Sequence, residues 1–319
     1  MRAVTLHPDH SITVSEHPDP RPGAGEILVQ VRAAGLNGAD MAQRQGRYPA
    51  PPGFPPDIPG LEFSGEVLEC GPGAARFGPG DRVCAITGGG AQAELVTIHE
   101  RLVMPVPGQL AWVAAGGAPE AYSTAYDALC GQAGLQAGER VLIHGAAGGV
   151  GTAAVQLAAA FRAEVHATVR NPDHRDAVAK LGATVHAPDD FSAHGPFDVI
   201  LELVGAPNLP ADVASLAPWG RIVVIGIGAG AEATLNLGVL MYRRGRILAS
   251  TLRARPLEEK ALLARALERS VMPLLGDGVL TVPVAATYPL DRVADAYDRF
   301  SAGGKLGKVV LLPAGDQPR

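Results

Sequence analysis

Cysteine is scarce in this chain, since Cys70, Cys84 and Cys130 are the only three in 319 residues. They are widely spaced and form no Cys-x-x-Cys pair, so the sequence predicts neither a disulfide framework nor a cysteine-rich zinc lobe. We expect three thiols buried as small apolar side chains in a reducing compartment, with the cytoplasm as the default location.

An excess of charge and a long apolar run are also missing. The formal net charge of −5 gives no electrostatic basis for binding nucleic acid or an anionic membrane. The N-terminal segment MRAVTLHPDH has no apolar stretch of signal-peptide length, so export is not expected. The most apolar window, residues 222–241, contains Glu232, Asn236 and several glycines, which favours a buried strand and a loop over a membrane span.

The chain is long enough for two domains, at roughly 150 residues each. Its first part is typical of β-structure, because apolar runs bounded by glycine and proline turns predict strands over 27–31, 65–69 and 81–86. The proline-dense segment 48–59 suits neither a helix nor a central strand, and it is predicted to be a loop.

Strands and helices alternate in the second half, which predicts an α/β fold with a parallel, doubly wound sheet. The predicted strands cover 141–144, 164–169, 197–204, 221–227 and 246–252, and the helices cover 150–161, 173–181 and 257–275. Beta-like runs at 280–282 and 308–312 indicate that the tail returns to the first domain. We therefore expect a discontinuous first domain, residues 1–118 and 254–319, and a second domain over 119–253.

The strongest motif is His144-Gly-Ala-Ala-Gly-Gly-Val-Gly151, between a predicted strand and a predicted helix. Read as Ala146-x-Gly148-x-x-Gly151, it is the dinucleotide fingerprint with its first glycine replaced by alanine. Small residues are needed because pyrophosphate must approach bare N–H groups and the helix must pack closely on the strand. The expected cofactor contacts in this loop are Ala147, Gly148, Gly149 and Val150.

The end of the next strand indicates which nicotinamide cofactor fits. NAD sites usually place Asp or Glu there to bind the ribose 2′-OH. This chain has Ala167-Thr-Val-Arg-Asn171, without an acid, and Arg170 can form the fork that binds a 2′-phosphate. Asn171 and His174 lie beside it. NADPH is the predicted cofactor, and the alternative is that Arg170 is only a solvated residue at the end of the strand.

The loop HGAAGGVGTAAVQLA at 144–158 resembles the zinc-free quinone oxidoreductase (zeta-crystallin-like) branch of the medium-chain dehydrogenase/reductase superfamily. Four further segments are similar to the tumour-suppressor-induced quinone oxidoreductase and its bacterial relatives within that branch. They are RQGRYPAPPG at 44–53, PGLEFSGEV at 59–67, GGGAQAELVT at 88–97 and STLRARPLEEK at 250–260.

The resemblance implies a GroES-like β-rich catalytic domain, a Rossmann domain and a cleft between them. It also implies a homodimer paired through the last Rossmann strands, here 246–252. One departure is visible between Phe191 and Phe197, where relatives usually carry an additional helix.

The resemblance also bears on metal binding. Zinc-dependent relatives place a Cys where this chain has Asn37, and a ligating His where it has Leu61. A catalytic zinc needs three protein ligands that converge on it. The nine histidines are scattered, so no metal site is predicted.

The cofactor would then supply the reactivity, and the protein would position it. By resemblance, Tyr48 and Asn37 both line the substrate cleft, and these two are candidate catalytic residues and candidate cofactor contacts. Each could instead be structural, Tyr48 by packing a proline-rich loop and Asn37 by occupying a turn. The further candidate cofactor contacts are Thr124, Gly226, Gly228, Lys305 and Gly307. Thr124 could instead cap a helix, and residues 304–307 could form a surface turn. Arg253 and Arg255 could border the cleft or be solvated charges.

The leading hypothesis is NADPH-dependent reduction of a small quinone by hydride transfer, without a metal. A conjugated enone or enoyl thioester is the alternative acceptor, because its product oxyanion is also delocalised. A third possibility, from another class, is an NADPH-binding protein with little turnover.

Overall fold

The fold is known from a computed structural model, which describes residues 1–313. The chain divides into two compact units. An N-terminal unit combines the residues up to Ser123 with those from Leu252 onward, and a nucleotide unit comprises Thr124–Thr251. No helix within the described residues is long and apolar enough to cross a membrane.

The described residues form fifteen strands. In chain order they are β1 Arg2–Leu6, β2 Ile12–Glu16, β3 Glu26–Gly35, β4 Glu62–Cys70, β5 Arg82–Ile86, β6 Leu95–His99, β7 Val103–Pro105, β8 Arg140–Ile143, β9 Glu164–Thr168, β10 Thr184–His186, β11 Phe197–Glu202, β12 Leu216–Val224, β13 Arg246–Ala249, β14 Val284–Pro289 and β15 Lys308–Leu312.

Ten α-helices accompany them in residues 1–313. They are α1 Gly38–Arg44, α2 Trp112–Gly117, α3 Pro119–Tyr126, α4 Gly149–Ala160, α5 Arg175–Ala179, α6 Leu209–Ala214, α7 Leu237–Arg243, α8 Leu257–Ser270, α9 Met272–Gly276 and α10 Val293–Ser301. A π-helical turn over Asp127–Gln132 follows α3.

The N-terminal unit is built around the long strand β3, whose burial alternates so that Ile27, Val29 and Val31 point into the core. The sheet order is β14-β15-β3-β4-β5-β7, with β6 also paired to β3. Strand β15 runs antiparallel to β3, pairing Val310 with Gly35, and β14 runs parallel to β15. The C-terminal strands therefore complete the sheet that the N-terminal strands begin.

The nucleotide unit contains a six-stranded parallel sheet in the order β10-β9-β8-β11-β12-β13. The strand order reverses between β8 and β11, where parallel sheets of this type bind ligands at the carboxyl ends of their strands. Leu142, Ile200 and Ile222 on three adjacent strands are fully buried. The predicted α/β fold, a β-rich unit plus a doubly wound parallel sheet, is confirmed.

Several predicted elements differ in detail. The β-like run 280–282 forms no strand, because Pro283 follows it and pairing begins at Val284. The helix predicted over 257–275 breaks at Val271, just before Pro273, into α8 and α9. The helix predicted over 173–181 shortens to a 3₁₀ turn followed by α5. The segment after Phe191 forms only a 3₁₀ turn, to His194.

The three cysteines form no disulfide with one another, as predicted, but only one of them is fully buried. Cys70, Cys84 and Cys130 are all free thiols. Cys84 is fully buried, whereas the other two are partly exposed.

Three histidine rings stack at one edge of the nucleotide unit. The His186 ring lies 3.9 Å from that of His194 and 5.2 Å from that of His166. Arg140 donates toward His166 from the neighbouring strand. Burial, then the neighbouring His194 and His166, lower the pKa of His186 from its usual 6.5, and Asp190 acts weakly in the opposite direction.

Acid should therefore weaken the nucleotide unit through His186. The unfolded chain takes up this proton as the pH falls through about 6.5, before the folded protein does, so stability is lost below that pH. We expect wild type to lose more unfolding free energy than His186→Gln between about pH 7 and pH 5. Urea unfolding of both proteins across this range measures the difference. A constant difference between them would contradict the assignment.

Candidate active site

The phosphate loop connects β8 to α4 at the point where the strand order reverses. Gly145 has φ +64°, a left-handed conformation that favours glycine, and turns the chain sharply after β8. A Cβ on Gly151 would lie 2.6 Å from the Ala146 Cα, so only glycine lets the helix approach the loop this closely. Both features match the fingerprint.

The N-terminus of α4 is open to a ligand. Its N-cap is Gly148, which offers no side chain to cap the first N–H groups of the helix. A Cβ at Gly148 would meet only the Gly145 oxygen, at 3.5 Å. Ala147, Gly149 and Val150 are half-buried beside it. The loop therefore fits a pyrophosphate, whose negative charge suits the N-terminus of a twelve-residue helix.

A buried polar cluster lies beneath this loop. His144 contacts Thr168 Oγ1 through Nδ1 and Asp212 Oδ1 through Nε2, both at 2.9 Å. Glu202 accepts from the backbone N–H groups of Val204 and Gly205. Burial raises the pKa of Asp212 to about 6. The His144 contacts join β8, β9 and α6, and Glu202 at the end of β11 lies 4.0 Å from His144 Nε2, so the cluster holds the loop on the sheet.

Arg170 lies exposed just beyond β9, and its guanidinium makes no hydrogen bond or ion pair with a described residue. Asn171 accepts from the N–H of Asp173 at 3.1 Å and caps the next turn, in which His174 is half-buried. Because no residue of the described range 1–313 pairs with Arg170, its guanidinium is available to bind an anion. Arg170, Asn171 and His174 remain candidate cofactor contacts.

The two glycines after β12 differ in their surroundings. The strand ends at Val224, before Gly226, where a Cβ would lie 2.1 Å from the Leu203 oxygen. Gly226 is therefore required because the chain packs closely against Leu203 at this point. The sequence-based prediction gave Gly226 a nicotinamide contact and not this packing role. Gly228 has nothing within 4 Å of its Cβ position and remains a candidate contact.

Asn37 belongs to a buried charged cluster in the N-terminal unit. Lys308 Nζ lies 2.5 Å from Glu62 Oε1 and donates to Asn37 Oδ1 at 2.6 Å. Asn37 Nδ2 donates to the same Glu62 oxygen at 3.0 Å. The amide is thus engaged at both ends, which makes Asn37 a positioning residue. A Cβ on Gly35 would lie 2.2 Å from Glu62, so glycine leaves the space for this carboxylate.

Lys308, Glu62 and the neighbouring Asp40 were not predicted as site residues from the sequence. Asp40 is fully buried and accepts from the N–H groups of Asn37 and Gly60. Burial raises its pKa to about 6, against the effect of these hydrogen bonds and of Lys308. A usable signal was present, because a lysine that opens an apolar strand indicates a buried partner.

Tyr48 is held in place by Arg253, one of the two arginines of uncertain role. The buried Arg253 guanidinium lies 5.1 Å from the Tyr48 ring centroid and donates to the Tyr48 carbonyl at 2.9 Å. It also donates to the Gly88 carbonyl and to Gln43 Oε1. Arg253 is therefore a structural clamp on the proline-rich loop.

The Tyr48 phenol is half-buried, and within residues 1–313 its hydroxyl forms no hydrogen bond. Burial raises its pKa above the usual 10, with Arg253 acting in the opposite direction. The phenol therefore stays protonated at neutral pH and can donate a hydrogen bond to an acceptor.

The remaining candidates lie at the end of α3 and before β15. Thr124 is buried in α3. Lys305 Nζ lies 3.9 Å from the Phe300 ring centroid, and burial, then Lys308, lowers its pKa to about 8. Gly307 has φ +80°, and a Cβ there would collide with the Pro283 oxygen. Gly307 thus has a structural requirement, while Lys305 and Thr124 remain candidate contacts.

Breaking the charged cluster at one partner should destabilise the N-terminal unit. We expect Lys308→Met to cost about 3–5 kcal/mol, because Glu62 would be left buried without its cation. Adding Glu62→Gln to that variant should recover a large part of the loss. Urea unfolding of both single variants and the double variant gives the coupling energy. Additive single-variant losses would contradict the pairing.

Comparison with known proteins gives two family matches. Residues 23–108 match the alcohol dehydrogenase GroES-like domain, and residues 149–268 match the zinc-binding dehydrogenase family. The chain is 32% identical to human quinone oxidoreductase over 92% of its own length and 91% of that protein.

Two further similarities are a sequence match to part of a much longer protein and a structural match over nearly the whole chain. A mycocerosic acid synthase-like polyketide synthase of Mycobacterium tuberculosis is 33% identical over 91% of this chain, but only 14% of that protein is covered. The solved structure of a quinone oxidoreductase from Pseudomonas syringae superposes with a TM-score of 0.86 at 26% identity. That match covers 98% of this chain and 99% of the other.

Proposed function

This chain belongs to the medium-chain dehydrogenase/reductase superfamily, which includes its quinone oxidoreductase relatives, and we propose that it reduces a small quinone with NADPH, without a metal. One observation carries the cofactor proposal: the open N-terminus of α4 lies in the same unit as Arg170, which has no partner among the described residues. A pyrophosphate and a 2′-phosphate both need such donors.

Each residue then has a defined task. The N–H groups of Gly149 and Val150 bind the pyrophosphate, and Arg170 with Asn171 and His174 binds the 2′-phosphate. When bound, NADPH supplies a hydride from nicotinamide C4. Tyr48 donates a hydrogen bond to the carbonyl of the acceptor, and Arg253 holds Tyr48 in position. A quinone suits this arrangement because its ring spreads the developing negative charge.

The metal-free proposal is supported by the residues at the two former ligand positions. Leu61 is 3% exposed and carries no donor atom, and the Asn37 amide is engaged by Lys308 and Glu62. Activity should survive prolonged treatment with a zinc chelator, and elemental analysis of the active enzyme should find no stoichiometric zinc. Loss of turnover on chelation, restored by zinc, would overturn the proposal.

A homodimer is proposed from the surface of the nucleotide unit. Helix α7 exposes Leu237, Met241 and Tyr242 by 65–81%, and β13 is an edge strand of the sheet. Exposed apolar patches and unpaired strand edges both favour association. Pairing of β13 with its copy would satisfy that edge.

Cofactor preference can be tested at Arg170. We expect NADPH to bind at least tenfold more tightly than NADH, and Arg170→Ala to lose about 1.5–3 kcal/mol of NADPH binding, a tenfold to hundredfold change. Calorimetric titration of both cofactors measures this. The control is Arg162→Asn at the opposite end of β9, where φ is +62° and Asn is tolerated. Equal affinities of wild type for NADPH and NADH would refute the preference.

The acceptor can be tested at Tyr48. A quinone stabilises its own oxyanion, whereas an enone concentrates more charge on one oxygen and depends more on a donor. We therefore expect Tyr48→Phe to lower quinone kcat/KM by less than about tenfold and enone kcat/KM by substantially more. Steady-state kinetics of both acceptors in both proteins, with NADPH affinity measured separately, give the answer. Complete loss of quinone turnover with cofactor binding intact would make Tyr48 an obligatory acid.

The polyketide synthase similarity supports an enoyl or enone acceptor as the second candidate. Higher wild-type kcat/KM for a conjugated thioester than for ortho-quinones would favour it. A protein that binds NADPH but turns over neither acceptor would instead be a cofactor-binding protein.

A further inference from the structure

A cavity of about 320 Å³ lies within the N-terminal unit, and neither Tyr48 nor Asn37 lines it. Most of its wall is apolar. It is formed by the loop after Gly53, by β6 and by the start of α8, and it includes Phe54, Ile58, Val96, Leu102 and Leu257. Cavities that bind small molecules enclose about 300–1,000 Å³ and combine such walls with a few polar groups.

Lys260 is the cationic side chain of this cavity. Lys260 is only 7% exposed, and its Nζ lies 5.5 Å from the Phe54 ring centroid. Its one hydrogen bond with a described residue is a long one, 3.4 Å to the Arg253 carbonyl. An ammonium has three donors, so at least two of them have no protein acceptor in residues 1–313.

The charge of Lys260 is also uncompensated. No described carboxylate lies within ion-pair distance, and burial lowers the pKa of the ammonium. Its position in the first turn of α8 adds an unfavourable interaction with the helix dipole. The two acids of that turn point elsewhere, Glu258 to Arg101 and Glu259 to Arg255.

The second buried lysine, Lys308, shows how this chain ordinarily accommodates such a charge. Its ammonium has Glu62, Asn37 and the Leu36 carbonyl as partners, the first at 2.5 Å. The contrast indicates that the partner of Lys260 comes from outside the described chain.

Met1, Glu26 and His99 also line the cavity and carry titratable groups, and the Met1 ammonium pairs with Asp19 at 2.6 Å. Glu26 accepts the Gly23 N–H at 2.8 Å, and His99 accepts the Arg101 N–H through Nδ1. The Glu26 and His99 side chains are thus engaged by backbone N–H groups, Glu26 at the start of β3 and His99 at the end of β6. None of the three pairs with Lys260, so an anion for this ammonium would have to come from outside the described residues.

We propose that this cavity binds a small monocarboxylate with an unbranched apolar chain. The carboxylate pairs with Lys260, and the chain lies against Val96, Leu102 and Leu257. A carboxylate supplies two acceptor oxygens for the unused ammonium donors, and a short apolar chain fits a cavity of about 320 Å³ with a mostly apolar wall.

Three probes of equal chain length test the proposal on the intact protein: octanoate, octanol and octylamine. Calorimetric titration should show octanoate binding at least tenfold more tightly than octanol, with octylamine weakest. Equal affinities of octanoate and octanol would overturn the proposal. Preferential binding of octylamine would also overturn it, because Glu26 would then govern the cavity.

Substitution of the lysine gives an independent test. Lys260→Met should weaken octanoate binding at least tenfold and leave octanol binding unchanged, whereas Lys180→Met, at an exposed position, should change neither. The Lys260→Met variant should also melt at a higher temperature than wild type, since an uncompensated buried charge has been removed. Unchanged octanoate affinity, or a lower melting temperature, would show that Lys260 is satisfied within the protein.

Discussion

The ion pair between Lys308 and Glu62 joins the two ends of the N-terminal unit. Glu62 lies on β4, early in the chain, and Lys308 opens β15, after the chain has left this unit and returned. A charge of either sign would be costly in this interior without the other. The geometry of the pair also places Asn37, which bridges both partners at the start of α1. The position of Asn37, a candidate site residue, therefore depends on the Lys308–Glu62 pair, which forms only when β15 has joined the sheet.

Arg253 makes a second contact between distant parts of the chain, with the loop that carries Tyr48. It lies just after the chain re-enters the N-terminal unit, and its donors reach the Tyr48 and Gly88 carbonyls and Gln43. Gln43 in turn donates to the Pro56 carbonyl. A proline-rich segment has few N–H groups of its own, so external donors must secure its carbonyls. The position of a candidate catalytic phenol is thus set by a guanidinium from a distant part of the sequence.

The nucleotide unit relies more on local geometry. Its phosphate loop follows from two glycines, one with a left-handed turn and one with no room for a Cβ. Beneath the loop, however, His144 and Asp212 form a buried pair supported by Thr168, and burial raises the pKa of that carboxyl. The free N–H groups at the start of α4 are therefore positioned by the turn, while the turn itself is anchored by buried polar contacts.

The sequence by itself determined the features that depend on neighbouring residues. Alternating strands and helices, the fingerprint from Ala146 to Gly151 and the absence of an acid after β9 could all be read from short segments. Strand 308–312 was predicted at its observed bounds, whereas the run at 280–282 failed because periodicity does not show whether a partner strand is present. Only the tertiary structure decided that Asn37 is bound by Lys308 and Glu62, that Arg253 holds Tyr48, and that Gly226 packs against Leu203. These contacts join residues that are separated along the chain, and they depend on packing, hydrogen bonding and charge pairing between partners that a local pattern does not identify.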